Sequence, residues 1–72
     1  MVKHVEYRGR TISITVLPEQ GRWGYRIENG PVRVLDELRE PAQAELLFAE
    51  AQRRAQTEVE CIELKGQRAQ RH

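Results

Sequence analysis

Residues 11–16, with the sequence TISITV, decide the fold because apolar and polar side chains alternate at every position. A period of two is typical of a β-strand that buries one face and exposes the other. Residues 22–27, RWGYRI, repeat the pattern, and Trp23, Tyr25 and Ile27 share the apolar face. Residues 18–21, PEQG, lie between the two stretches and favour a tight turn. The two stretches therefore predict neighbouring antiparallel strands.

Two further segments extend this sheet. Residues 5–8, VEYR, alternate in the same way and lead into a turn at residues 8–10, RGR. Residues 29–31, NGP, form a second strong turn signal. Residues 32–35, VRVL, then make either a short fourth strand or a connector. Because all the turns are short, the strands are predicted to form an antiparallel meander.

From residue 36 to about 64 the period changes to that of a helix. Pro41 suits a first turn, and an apolar stripe then recurs at spacings of three and four. Continuing the stripe through Val59 and Ile62 predicts one helix of more than twenty residues, capped by Gly66. The alternative is a helix that ends near Gln56, followed by a strand. We favour the long helix. The stripe consists of Ala44, Leu47, Phe48, Ala51 and Ala55.

These elements predict an α+β fold in which one C-terminal helix packs on one face of a three- or four-stranded sheet, in the order β-β-β-α. The chain has 72 residues, which suits one domain over residues 1–65 and a disordered polar tail over residues 66–72. The sheet's contribution to the core is predicted to be Val5, Tyr7, Ile12, Ile14, Val16, Trp23, Tyr25 and Ile27.

The composition excludes several classes of protein. Charged residues make up 32% and hydrophobic residues 39%, which argues against a disordered or fibrous chain. No apolar run reaches the roughly 18 to 20 residues of a membrane span, and the first residues do not resemble a signal peptide. The single cysteine, Cys61, is predicted to be a small, semi-buried apolar residue. A cytoplasmic protein without membrane contact is expected.

Charge is unevenly distributed. Residues 1–35 carry six basic and three acidic side chains (+3), residues 36–60 carry three and seven (−4), and residues 61–72 carry three and one (+2). The strand period places a set of basic and hydroxyl side chains on the solvent face of the sheet. This face is predicted to be either an ordinary solvated surface, a nucleic-acid surface, or half of a dimer in which basic sheet meets acidic helix. The set is His4, Arg8, Arg22, Arg26, Thr11, Ser13 and Thr15.

Little in the sequence indicates catalysis. His4, His72 and Cys61 do not have the spacing of metal ligands, and the glycines do not have that of a phosphate loop. Trp23 and Tyr25 share the parity of the core and are not predicted to stack on bases. No catalytic residue, cofactor or metal is therefore predicted. The helix carboxylates are interpreted as a solvated face; they are Glu40, Glu45, Glu50 and Glu58.

The order of Tyr7-Arg8-Gly9, the WGYRI strand at residues 23–27 and an alanine-rich helix resembles known families. One is the AP2-type DNA-binding domain, with the small integrase arm-binding domains, in which a three-stranded sheet enters a DNA groove and one helix backs it. The chain also resembles a family of small bacterial β-sheet-plus-helix proteins with no assigned activity, over residues 4–60. The first resemblance implies Arg8, Arg22 and Arg26 as DNA-facing positions.

The favoured functional hypothesis is a non-catalytic protein-interaction module that binds a protein partner or forms a homodimer. It predicts an exposed apolar patch left over once the core is filled, at Leu46, Ala49, Ile62 and Leu64. The alternative is DNA binding by the basic outer face of the sheet. In AP2-type domains an aromatic side chain faces outward with the arginines, whereas the parity of Trp23 directs it to the core.

Overall fold

The computed structural model describes residues 1–35, 37 and 39–69, and its sheet has four antiparallel strands in the order β1-β2-β3-β4. The strands are β1 (Val2–Tyr7), β2 (Arg10–Leu17), β3 (Arg22–Ile27) and β4 (Val32–Val34). A 26-residue helix, α1 (Ala44–Ala69), packs on one face, mainly over β2 and β3. The α+β prediction is confirmed, and residues 32–34 are the fourth strand.

Left-handed backbone conformations close the turns of the meander. Arg8 and Gly9 have φ of 53° and 76°, so β1 and β2 are joined by a two-residue hairpin. Gly21 has φ of 61° and ends a short 3-10 helix at Pro18–Gln20. A Cβ atom on Gly21 would overlap the carbonyl oxygen of Glu40. Glycine is therefore required at position 21 by both its φ and the close approach of the chain.

The core lies between α1 and the two central strands. It contains the alternate residues of β2 and β3 predicted from the sequence, together with small and branched residues of α1. Ala51 and Ala55 let the helix approach the sheet closely. Val5 and Tyr7, predicted in the core, are only half buried because α1 crosses β2 and β3 and leaves β1 at its margin. The buried residues are Ile12, Ile14, Val16, Trp23, Tyr25, Ile27, Leu47, Ala51, Ala55 and Val59.

The helix begins at Ala44, three residues after Pro41, which was predicted to lie in its first turn. The N–H of Ala42 donates a hydrogen bond to the carbonyl of Pro18 at 2.9 Å, so the chain around Pro41 packs against the 3-10 turn. The first helical hydrogen bond reaches back to the carbonyl of Gln43, from Leu47 at 3.2 Å. Pro41 therefore lies in the connection and not in the first turn of the helix.

The end of the helix also differs from the prediction. Residues 57–61 are helical, which excludes the alternative of a strand, and α1 continues through Gly66 to Ala69. One glycine costs a helix only about 1 kcal/mol, which a long helix tolerates. The predicted cap at Gly66 is wrong, because the helix runs through that residue. Residues 70–72, which include His72, lie outside the described part of the chain.

Candidate protein-interaction surface

The open face of the sheet is the face opposite α1, and the strand register arranges it in rows. In one row His4 lies beside Ser13, which lies beside Arg26, which lies beside Val32. The next row is set one pleat further along the strands and runs through a glycine at its centre. That row consists of Val2, Thr15, Gly24 and Val34. The open face therefore combines hydroxyl groups, basic groups and apolar groups.

Two of the three predicted DNA-facing arginines lie on this face. Arg26 is exposed and pairs across the strands with Ser13 and Val32. Arg22 is half buried, and its Nε donates a hydrogen bond to the carbonyl of Leu35 at 3.2 Å. The prediction that both belong to the solvent face of the sheet is confirmed.

Arg8 does not lie with them. Its Nη1 forms an ion pair with Glu63 Oε2 of α1 at 2.8 Å, on the helix side of the sheet. Interactions with Tyr7 and, to a smaller extent, with Glu63 raise the pKa of Arg8. The prediction that Arg8 shares the solvent face is wrong, because the positive φ at Arg8 and Gly9 interrupts the strand alternation there. The basic character of the open face is correspondingly reduced.

Apolar side chains dominate the β4 side of the open face. Val32 is 63% exposed, Val34 61% and Leu17 47%. Between Thr15 and Val34 the sheet carries only Gly24, and a hollow of about 410 Å³ opens there. Most of the residues that line the hollow are apolar, among them Leu17, Val32, Val34 and Leu35, and Thr15 and Arg22 are its polar members. Exposed apolar residues grouped around a depression are a common feature of docking surfaces.

The apolar patch predicted on the helix is exposed but divided. Leu46 and Leu64 are each 53% exposed and Ile62 is 40% exposed. Leu46 and Ala49 line one cavity, whereas Ile62 lines another beside the turn after β3. Leu46 and Ile62 are separated by about 24 Å along the helix axis. Together they do not make one continuous surface.

Two helix carboxylates anchor the aromatic residues of β3. The indole Nε1 of Trp23 donates to Glu50 Oε1 at 3.1 Å, and the hydroxyl of Tyr25 donates to Glu58 Oε1 at 2.7 Å. The two rings stack with centroids 5.9 Å apart. Burial of both aromatic residues confirms the prediction that they face the core. Glu50 and Glu58 are therefore not the solvated side chains that were predicted, because their partners lie 27 and 33 residues away and leave no local signal in the sequence.

The same contacts determine the electrostatics of this region. Hydrogen bonds donated by Arg39 lower the pKa of the Glu50 carboxyl group. The same hydrogen bonds raise the pKa of Arg39. Burial, followed by the bond to Glu58, raises the pKa of Tyr25 to about 12. A cavity of about 490 Å³ lies beside Trp23 and Glu50. Both carboxylates are therefore engaged in holding the helix on the sheet.

The remaining candidate groups are dispersed. Cys61 is exposed and not semi-buried as predicted. Nδ1 of His4 hydrogen-bonds Ser13 Oγ at 3.0 Å on the open face. Among residues 1–35, 37 and 39–69, no three His, Cys, Asp or Glu side chains are grouped so that they could hold a metal ion. The described helix is not long and apolar enough to cross a membrane.

Comparisons with protein-family models, with curated proteins and with solved structures gave no match for this chain.

Proposed function

We propose that the chain is a non-catalytic protein-interaction module that binds its partner on the β4 side of the open face. The observation that carries this proposal is the exposure of Val32, Val34 and Leu17 around the hollow above Gly24. Leaving such side chains in water forgoes roughly 1.5 to 3 kcal/mol each relative to full burial. A partner that covers them recovers part of that free energy.

The chemistry of the rim defines the partner. An aliphatic or aromatic side chain of the partner fills the hollow, because its floor is a glycine and most of the side chains that line it are apolar. Arg26 is exposed two residues along β3 from Gly24, so a carboxylate of the partner next to that anchor gains a charge-assisted contact. The expected partner is thus a protein surface with an apolar anchor flanked by acidic residues.

The test compares three immobilised proteins as baits for partners from a cell extract: wild type, Val34→Lys and Leu46→Lys. Val34 and Leu46 are both largely exposed, at 61% and 53%, so neither lysine disturbs the core. Proteins retained by wild type and Leu46→Lys but lost by Val34→Lys support the proposal. Retention of the same proteins by Val34→Lys contradicts it. Circular dichroism confirms that all three baits are folded.

The DNA-binding alternative is tested with the isotope-labelled protein and a mixed-sequence duplex at low salt. Phosphate contacts would shift the amide signals around Ser13, Arg22 and Arg26, and added salt would reverse the shifts. Loss of those shifts in an Arg22→Ala, Arg26→Ala double variant would then favour DNA over a protein partner. No salt-dependent shift is expected under the present proposal.

A further inference from the structure

The outer edge of β1 presents unpaired backbone groups. Met1 and Val16 exchange hydrogen bonds in both directions, at 3.0 and 3.5 Å. Since hydrogen-bonded and non-hydrogen-bonded pairs alternate in an antiparallel ladder, His4 and Glu6 direct their N–H and C=O groups away from β2. Within the described residues the sheet places no strand on that side. The edge is six residues long and contains no proline.

The side chains next to this edge are incompletely covered. Val5 and Tyr7 pack against the core but remain half exposed, and so does Phe48 of α1. The ammonium group of Lys3 lies 5.6 Å from the centre of the Phe48 ring. A further strand beside β1 would cover the flanks of Val5 and Tyr7 and would pair the free backbone groups.

We propose that this further strand is β1 of a second copy, antiparallel to the first, with Val5 opposite the partner subunit's Val5. In any symmetric antiparallel pairing one residue meets its own copy at the two-fold axis. At Lys3, His4 or Glu6 this would set two identical polar or charged side chains against each other. Val5 is the interior residue of the strand that avoids this.

The same register is favourable at the neighbouring positions. It sets His4 opposite the partner's Glu6 on the open face, twice by symmetry, so an imidazole meets a carboxylate at each place. His4 and Glu6 are also the residues with free backbone groups, so the two pairs make four backbone hydrogen bonds. On the helix side Lys3 lies opposite the partner's Tyr7. Backbone parity and side-chain chemistry therefore select one register.

The opposite edge of the sheet, formed by β4, is less suited to pairing with a second copy. β4 has three residues and follows Pro31. The hydrogen bond from Leu35 N to Trp23 O leaves the outward groups on Val32 and Val34. Pairing those residues with a second copy would place Arg33 against the partner's Arg33. Like charges directly opposite destabilise a strand pair, so self-association is assigned to β1.

The β1 pairing leaves Val34 and the hollow uncovered, and it joins the two open faces into one eight-stranded surface. The inference is thus separate from the proposed function. Sedimentation of the purified protein at increasing concentration is expected to show a monomer–dimer equilibrium. Val34→Lys is expected to leave that equilibrium unchanged, so failure of one proposal does not imply failure of the other. A wild type that stays monomeric to millimolar concentration overturns the inference.

Charge exchange at the two facing positions tests the pairing. Glu6→Lys and His4→Glu are each expected to weaken dimerisation about tenfold, because each changes two symmetric cross-strand pairs at once. The double variant sets Glu opposite Lys again and is expected to regain the wild-type affinity. Both residues are exposed, so the substitutions do not affect the core. The pairing is contradicted if the double variant dimerises more weakly than either single variant, with a loss of affinity equal to the two single losses combined.

The register is tested by cross-linking in a Cys61→Ser background. A directly opposed, non-hydrogen-bonded pair has Cα atoms about 4.5 Å apart, within the range that a disulfide spans. Val5→Cys is therefore expected to form a covalent dimer under mild oxidation. Lys3→Cys is the control. In this register position 3 lies opposite the partner's Tyr7, four residues along the strand from the partner's position 3, so the two sulfurs are about 13 Å apart. Faster cross-linking of Lys3→Cys than of Val5→Cys would refute this register.

Discussion

The two faces of the same four strands have opposite properties. On β2 the side chains of Ile12, Ile14 and Val16 are fully buried under α1, while Thr11 and Thr15 on the alternate positions are exposed. On β3 the covered face holds the stacked aromatic pair, whereas the open face holds Arg22, Gly24 and Arg26. Successive residues of one strand therefore belong to different environments.

This difference separates stability from recognition. The covered face contains the buried apolar core, so substitutions there change the free energy of unfolding. The open face contributes little apolar burial, and its side chains are free to be selected for contact with a partner.

Gly21→Ala is expected to have the largest effect. The new methyl group would overlap the carbonyl of Glu40, and alanine disfavours the φ of 61° at this position. We expect a loss of about 3 kcal/mol or more in the free energy of unfolding, measured with urea. Gly9→Ala is the matched control: its φ is 76° but nothing lies within 4 Å of the new atom.

The control isolates the contribution of the close approach. Gly9→Ala carries only the conformational penalty of a left-handed residue, about 1 to 2 kcal/mol. If Gly21→Ala costs no more free energy of unfolding than Gly9→Ala, then the segment around Glu40 does not pack closely against Gly21 in solution.

The same substitution on the two faces tests the comparison directly. Val16 is fully buried and Val34 is 61% exposed. Val16→Ala removes two buried methyl groups and leaves a cavity, so we expect a loss of about 2 to 3 kcal/mol by urea unfolding. Val34→Ala is expected to cost about 0.5 kcal/mol or less. Similar losses for both would show that the open face is also buried in solution.

Tyr25 reports on the margin of the covered face. In a Tyr7→Phe variant it is the sole tyrosine of the chain, and its absorbance is expected to titrate with a midpoint near its pKa of about 12. Its ordinary value is 10.0, because the unfolded chain has neither the burial nor the bond to Glu58. Because the folded-state pKa of Tyr25 is raised, the contribution of this phenol to the free energy of unfolding is fully present below pH 10. That contribution is lost as the pH rises toward 12. A folded-state midpoint near 10 would contradict both the burial of Tyr25 and its contact with Glu58.

Most of the fold could be predicted because it rests on local periodicity. Alternation at residues 11–16 and 22–27 determines which side chains are buried, and turn residues mark where each strand ends. The long apolar stripe correctly favoured a helix over a strand at residues 57–61. The start of the helix was missed because the bond from Ala42 to Pro18 joins segments that are distant in sequence.

The candidate site could be predicted only in part. Parity placed Arg22 and Arg26 on the open face, but it could not follow the chain through the hairpin at Arg8. The apolar cluster of Leu17, Val32 and Val34 is produced by the pairing of β3 with β4, a register that the sequence does not encode locally. The signal available in the sequence was the alternation of Val32 and Val34 around Arg33.

The smallest expected effect concerns the ion pair of Glu50 with Arg39. Glu50→Gln keeps an acceptor for the Trp23 indole but removes the charge, so at pH 7 we expect a loss below about 1 kcal/mol, since both partners are partly solvated. The pKa of Glu50 is lowered from 4.5, mainly by Arg39, so its contribution is present above that pH and lost as the pH falls through the folded-state pKa. The stability difference between wild type and Glu50→Gln should therefore shrink in acid.

Glu45→Gln, an exposed change on the same helix, serves as control. A difference that stays constant down to acid pH would mean that the Glu50 charge does not stabilise the covered face.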